Sequence, residues 1–501
     1  MKEHALVTTV SRAARLALVL ALVAAAVPPG AASARATNWV VEENQRPGTR
    51  SWRIAPGTPR DVEGFANRVS VPIGARFRLF VNTEAPTFKV VAYRLGYYQG
   101  LGGRRVWASG QVLGTSQPQP TLDPRTNMVE APWQPSLVVR TLGWPEGSYL
   151  LKLISSTGGA SYVPFVVRND RSTADLVFQH QVNTWQAYND WGGYNLYEGP
   201  QGFDSRSRIV SFDRPYAGSG AAGMLRAMPL IALAERRGLD VTYVTDVDVH
   251  RRPDTLLAHR SLVLLNHSEY WSSHMRDAVL AARSSGVNLA SFGANGLYRH
   301  VRYKKSPLGA ARRVVCYKIG EEDPLWGIDP AAVTVDWRDD PVPRPESAIM
   351  GAMYVCNGVL ADLVVSDPSA WVFAGTGLTK GDRIALAVSG EVDRVFEGAP
   401  TPANLQILAH SPVGCDDSNP VADMTYYTAS SGAGVFDAAS TDWYRTLRCG
   451  IPRQDPRCDV HAKMITGTIL EAFGGRPAGL SHPAESNLDA FGYQLTDPIS
   501  P

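Results

Sequence analysis

Between residues 174 and 293 the chain alternates short, almost wholly apolar runs with segments of helical spacing. ADLVFQH (174–180), DVTYVTD (240–246), SLVLLNH (261–267) and VNLASFG (287–293) read as strands covered on both faces, because a half-exposed strand would alternate polar and apolar positions. GAAGMLRAMPLIALAERRG (220–238) and SSHMRDAVLAARSSG (272–286) repeat apolar residues three and four apart and end at glycine, and a short helix is expected around 247–257. This alternation predicts an α/β domain built on a doubly wound parallel sheet, in which ligands bind beyond the carboxyl ends of the strands. The loops after His180, Asp246, His267 and Gly293 should then share one rim.

Upstream the period is two. NRVSVPIGARFRLFVNT, FKVVAYRLGYY, SLVVRTLGW, SYLLKLIS and SYVPFVVR are short β-branched and aromatic runs broken by Pro and Gly, which predicts an all-β, immunoglobulin-like sandwich. Downstream of 310 the pattern blurs into further strands and turns, with a helix starting near Thr441 or Asp442. The expected organisation is a leader over 1–34, the sandwich over 35–169, the α/β domain over 170–475 and a loose tail over 476–501.

The leader follows from Lys2, Arg12 and Arg15 ahead of LALVLALVAAAV (16–27) and the small residues ASARA, the three-part pattern of a secretory signal peptide cleaved after Ala34 or Ala36. The apolar run is too short to span a bilayer, so a secreted or cell-envelope protein is expected. Its formal charge of +2 falls to near zero once the leader is removed, which leaves no electrostatic case for nucleic acid or an anionic membrane. In an oxidising compartment the five cysteines point to disulfides, with Cys449 and Cys458 of CGIPRQDPRC the first candidate pair and one thiol left over.

Familiar motifs explain little. GSGAAG (218–223) leads into a helix, yet DRPYA separates it from the preceding strand, so its glycines shape a helix start able to hold an anion or a carbonyl rather than a dinucleotide. No G-x-S-x-G, HExxH or Walker loop is present, and the elbow-like SFGANGLY carries Ala294 and Asn295 where a nucleophile would stand. What remains on the rim is HSEYWSSH, with His267, Glu269 and His274, and the loop NTWQAYNDWGGYNLYEG (183–199). Phenols and carboxylates are hard oxygen donors that suit a hard trivalent ion such as Fe³⁺. The plainer readings are that Asp246 and Asp248 cap a helix, that Glu269 sits at the start of one, and that the aromatic loop is a core or carbohydrate-facing platform.

TWQAYNDWGGYNLY, SFDRPY, LNHSEYWS, FGANGLYRHVR and SGAGVFDAASTDW, in this order, resemble the C-terminal domain of the N,N-dimethylformamidase large (β) subunit family, over roughly residues 175–445. The resemblance implies a fold similar to class I glutamine amidotransferases and a hydrolase of small amides whose mononuclear iron is held by two tyrosines and a glutamate. Position by position, the first tyrosine matches Tyr188 and the glutamate Glu269. For the second tyrosine Tyr194 is the first choice and Tyr197 the alternative. His267 or Asn295 would serve as proton shuttle or oxyanion donor. In the family the activity belongs to an intracellular complex with a small subunit, whereas this chain carries a leader and cysteines that suit disulfides. Partners expected are an amide or glycan-like substrate, with a homo-oligomer left open. The rival expectation is a non-catalytic extracellular glycan- or envelope-binding protein, with its aromatic residues spread as a platform and Glu269 capping its helix.

Overall fold

The computed structural model describes residues 38–415 and 420–501, and the expected leader lies outside them. The runs that read as strands form: Val241–Thr245, Leu176–His180, Ser261–Leu264 and Asn288–Ser291 lie side by side with Gly434–Asp437, all parallel, as five consecutive strands from one edge of a seven-stranded sheet. Their register puts His180 opposite Thr245 and Ser291 opposite Asp437, so the carboxyl ends of these strands do meet on one rim.

The doubly wound α/β expectation, and with it the likeness to class I glutamine amidotransferases, is corrected. Strand outweighs helix, 33% to 20%, and the strands fall into eight sheets among the described residues. Beyond residue 291 the chain stops alternating with helices. It makes antiparallel pairs instead: Arg302–Ser306 with Gly309–Val315, the long hairpin Met353–Val364 with Arg383–Arg394, and Gln406–Pro412 with Val421–Thr428, which ends the seven-stranded sheet in mixed order. The blurred pattern after 310 is the sequence counterpart of this change. Its strands are half-buried on irregular, bulged ladders, where neither a continuous apolar run nor a clean alternation can persist.

The immunoglobulin-like expectation is corrected as well. Residues 62–168 make a three-stranded and a six-stranded sheet, and the larger carries Ser70–Pro72 parallel to Ala160–Arg168. One face of the larger sheet, with Val90, Ala92, Leu151 and Val163, closes on Phe77, Leu79 and Val81 of the smaller. The opposite face, which an isolated sandwich would expose, buries Val91, Tyr93, Leu150 and Tyr162 against Met224, Ala227 and Met228 of the helix Ala222–Arg236. A buried ion pair pins this contact, Arg94 Nη2 to Glu235 Oε1 at 2.5 Å.

After 475 the chain returns to the body, and Pro498–Ile499 pairs with Thr401–Pro402. Two disulfides form: Cys449–Cys458, the expected pair, and Cys356–Cys415, which ties the long hairpin to the segment after Gln406–Pro412. Cys316 is the spare thiol, and burial pushes it up to about 11. No helix of the described residues is long and apolar enough to cross a membrane.

Candidate functional site

The rim loop after Leu176–His180 folds back on itself. Its short helix Val182–Ala187 is anchored by Asp246, which accepts from Asn183 N at 2.8 Å and from Gln179 Nε2 at 2.7 Å and whose carboxyl burial pushes up to about 7. Tyr188 caps that helix. The chain then turns through Gly192 and Gly193, both in the left-handed region at φ +81° and +83°, where a Cβ is costly. Leu196 N donates to Ala187 O at 2.9 Å, and Asn195 Oδ1 accepts from Tyr197 N at 2.6 Å. These bonds bring Tyr197 back against Tyr188, their rings stacked with centroids 4.7 Å apart.

Glu269 arrives from the loop after Ser261–Leu264 and is completely buried. Tyr188 Oη donates to its Oε2 at 2.8 Å, Tyr197 Oη donates to its Oε1 in a short contact, and the two phenol oxygens are 3.0 Å apart. Burial, followed by the charge of Glu269, raises both phenols well above the usual tyrosine range. With both phenolic protons given to the carboxylate, none is left for the contact between the phenols. Nearby cations are committed: Arg299 Nε lies 3.5 Å from Glu269 Oε1 but pairs tightly with Asp336, and Lys318 donates to Tyr270 Oη at 2.9 Å. Burial, then Arg299, pushes Lys318 down to about 7.

A cavity of about 720 Å³ opens beside this cluster, and Tyr188, 40% exposed, stands in its wall with His267 and Glu391. His267 Nε2 lies 2.8 Å from Glu391 Oε2 and 3.4 Å from Glu269 Oε2, an ion-pair contact not aligned as a hydrogen bond. Burial would lower the imidazole's pKa, and Glu391 outweighs it, so the net shift is upward. Asn295 adopts a positive φ of 51°, its Nδ2 donates to Glu391 Oε2 at 2.8 Å, and its Oδ1 is buried without a partner among the described residues.

Of the residues singled out in the sequence, Tyr188, Glu269 and His267 meet, and Asn295 joins them through Glu391. Tyr194 does not. Its carbonyl is held by Arg214 Nη1 at 3.0 Å, and its hydroxyl makes no hydrogen bond to the cluster. The bond from Leu196 to Ala187 selects Tyr197 instead. His274 lies elsewhere, stacked on His250 at 4.9 Å. Thr245 and Asp248 form a capping box, and Ser272, not Glu269, caps the helix Ser273–Ser284. Trp191 turns away, donating to Glu63 Oε2 at 2.8 Å. Sequence reasoning missed Glu391, Arg299 and Lys318. Glu391 sits in a stretch that reads only as a strand, and its position opposite His267 depends on the long hairpin.

No group of three histidine, cysteine or carboxylate side chains suited to a metal occurs among the described residues. The converging oxygens of Tyr188, Tyr197 and Glu269 are a different donor set, mostly phenolic. Three mutually close hard oxygens with no thiolate among them fit a hard trivalent cation, and their crowding is of the sign a cation relieves.

A protein-family profile described as N,N-dimethylformamidase beta subunit-like, C-terminal, matches residues 89–459. No curated protein matches the sequence. Among solved structures, a cycloisomaltooligosaccharide glucanotransferase of Paenibacillus sp., complexed with cycloisomaltoheptaose, matches at 9% identity and a TM-score of 0.15. That match covers 48% of this chain and only 29% of the glucanotransferase, and likeness at this level carries no argument.

Proposed function

The chain belongs to the N,N-dimethylformamidase beta subunit-like family, and from that premise we propose that it is an exported, iron-dependent hydrolase of a C–N amide bond. The observation that carries the reading is the convergence of Tyr188, Tyr197 and Glu269 at one point beside a cavity. Two phenolates and a carboxylate would balance the charge of Fe³⁺, and taking up the ion requires both phenols to release their protons. The bound ion supplies Lewis acidity toward an amide carbonyl and a lowered pKa for water.

The remaining work falls to the chain itself. His267, facing the cavity with Nε2 against Glu391, is placed to take a proton from attacking water and return one to the departing nitrogen. Asn295 Nδ2 fixes Glu391, which in turn orients the imidazole. Arg299 moderates the charge of Glu269 from behind. Export is supported by the leader pattern and by two disulfides, which persist in oxidising compartments. The glycan-binding rival is less favoured, because it requires a spread platform and a helix-capping Glu269, and the phenols instead close on that carboxylate.

The test is a visible spectrum with metal analysis of the mature protein, alongside Tyr188→Phe, Tyr197→Phe and Glu269→Ala. One iron per chain and a phenolate charge-transfer band that each variant weakens or abolishes are expected. A colourless protein that refuses added Fe³⁺ would sink the reading.

A further inference from the structure

At about 720 Å³ the cavity is far roomier than a formamide-sized amide needs, and it falls within the range of roughly 300–1,000 Å³ typical of pockets for larger ligands. Most of the charge in its wall is answered inside the protein. His267 faces Glu391 at 2.8 Å, and Asp442 is held by Arg445 at 2.8 Å and by Arg457 at 3.3 Å. Arg226 is the exception. It lines the cavity from the early part of the helix Ala222–Arg236, whose first turn carries no acid, and it has neither hydrogen bond nor ion pair among the described residues. His267 lines the same cavity, so guanidinium and imidazole address the same space. His267 Nε2 itself, nine-tenths buried, has no aligned hydrogen-bond partner.

We propose that Arg226 is the anion-recognising residue of this cavity, and that its ligand is an amide carrying a carboxylate, with the carboxylate on Arg226 and the amide toward Tyr188 and His267. The placement of the amide rests on the hydrolase reading, whereas the anion contact does not. A lone guanidinium offers a planar fork that matches one carboxylate with two parallel hydrogen bonds. The other lining residues are either paired as above or uncharged, Trp185, Met224 and Asn357 among them, so among the described residues the cavity gathers no second free cation of the kind a phosphate dianion would call for.

Calorimetric titration of the full mature chain with N-acetylglycine, neutral N-acetylglycinamide and inorganic phosphate tests this. N-acetylglycine should bind tightest of the three. Arg226→Ala should weaken it by about tenfold or more and Arg226→Glu further, with Arg226→Lys in between, while the neutral amide moves by less than about threefold. Equal affinity for the two amides, or an equal loss of both in Arg226→Ala, overturns the subsite. Phosphate binding as tightly as N-acetylglycine overturns the carboxylate assignment. Turnover by iron-loaded protein is read separately. Arg226-dependent binding without hydrolysis of either amide upholds the subsite and defeats the hydrolase reading, and hydrolysis of both with no preference does the reverse.

Discussion

Two buried carboxylates in this molecule are handled in opposite ways. Glu235, beneath the six-stranded sheet, receives Arg94 Nη2 at 2.5 Å, Tyr243 Oη at 2.7 Å, Asn44 Nδ2 at 3.0 Å and Tyr97 N at 3.2 Å. Burial would lower the pKa of Arg94, and Glu235 more than offsets it, so the guanidinium stays charged. That node is complete without any outside group. Glu269 receives two phenols, and its neighbouring arginine is 3.5 Å away and committed to Asp336. The first arrangement is what a buried charge looks like when it serves the fold, and on the proposed reading the second leaves its compensating charge to a bound cation.

Removing a partner from the complete node should have the largest effect. Glu235→Ala leaves Arg94 buried and unpaired, a loss of about 3–5 kcal/mol read as a drop in the urea midpoint. A loss under about 1 kcal/mol would erase the contrast between the two sites. Next in size is the response to iron. Saturation at 100 to 1,000 times Kd should stabilise the wild-type chain by about 2.7–4.1 kcal/mol. Tyr197→Phe should lose most of that gain and Tyr194→Phe should keep it, since of these two tyrosines it is Tyr197 that reaches Glu269. The reverse result would return the second phenol to Tyr194.

A third group of acids shows how a proton does the same work as a cation. Asp393 and Asp437 are buried together; desolvation and then the charge of Asp437 raise Asp393, and desolvation raises Asp437 to about 7 against the hydrogen bonds it receives. An acid whose folded pKa is raised binds protons more tightly in the folded state, so stability should fall as pH rises from about 4 to 7, by up to about 1.4 kcal/mol per pH unit for one proton. Asp437→Asn mimics the protonated partner and should flatten that slope. An unchanged slope in the variant would show that the pair does not share a proton.

The parts of this molecule written in local pattern were legible, and those made by distant pairing were not. Leu176–His180 and Ser261–Leu264 announce themselves because both faces are apolar, and the helix Ser273–Ser284 because its spacing survives on one face. The overall class was misread because the bulged hairpin Met353–Val364 with Arg383–Arg394 has no periodic signature, and it is this hairpin that brings Glu391 to His267. Tyr188 and Glu269 could be found by motif. Choosing Tyr197 over Tyr194 required one backbone bond, Leu196 to Ala187, which no spacing rule contains.

The smallest effect expected is also the most direct check on the difference between Glu235 and Glu269. Glu269→Gln keeps the shape of the carboxylate and removes its charge from a site with no exposure. In chelator-treated protein Tyr197 would still donate to the amide oxygen, Tyr188 would donate to Tyr197 Oη and accept from the amide nitrogen, and Arg299 would keep Asp336. The charge no longer has to be buried, which offsets the weaker hydrogen bonds, so stability should change by no more than about 1 kcal/mol in either direction. Iron uptake, by contrast, should collapse, because an amide neither ionises nor balances a trivalent charge. A large loss of stability in the metal-free variant would make Glu269 a structural residue like Glu235, and the phenols around it would then be packing rather than a site.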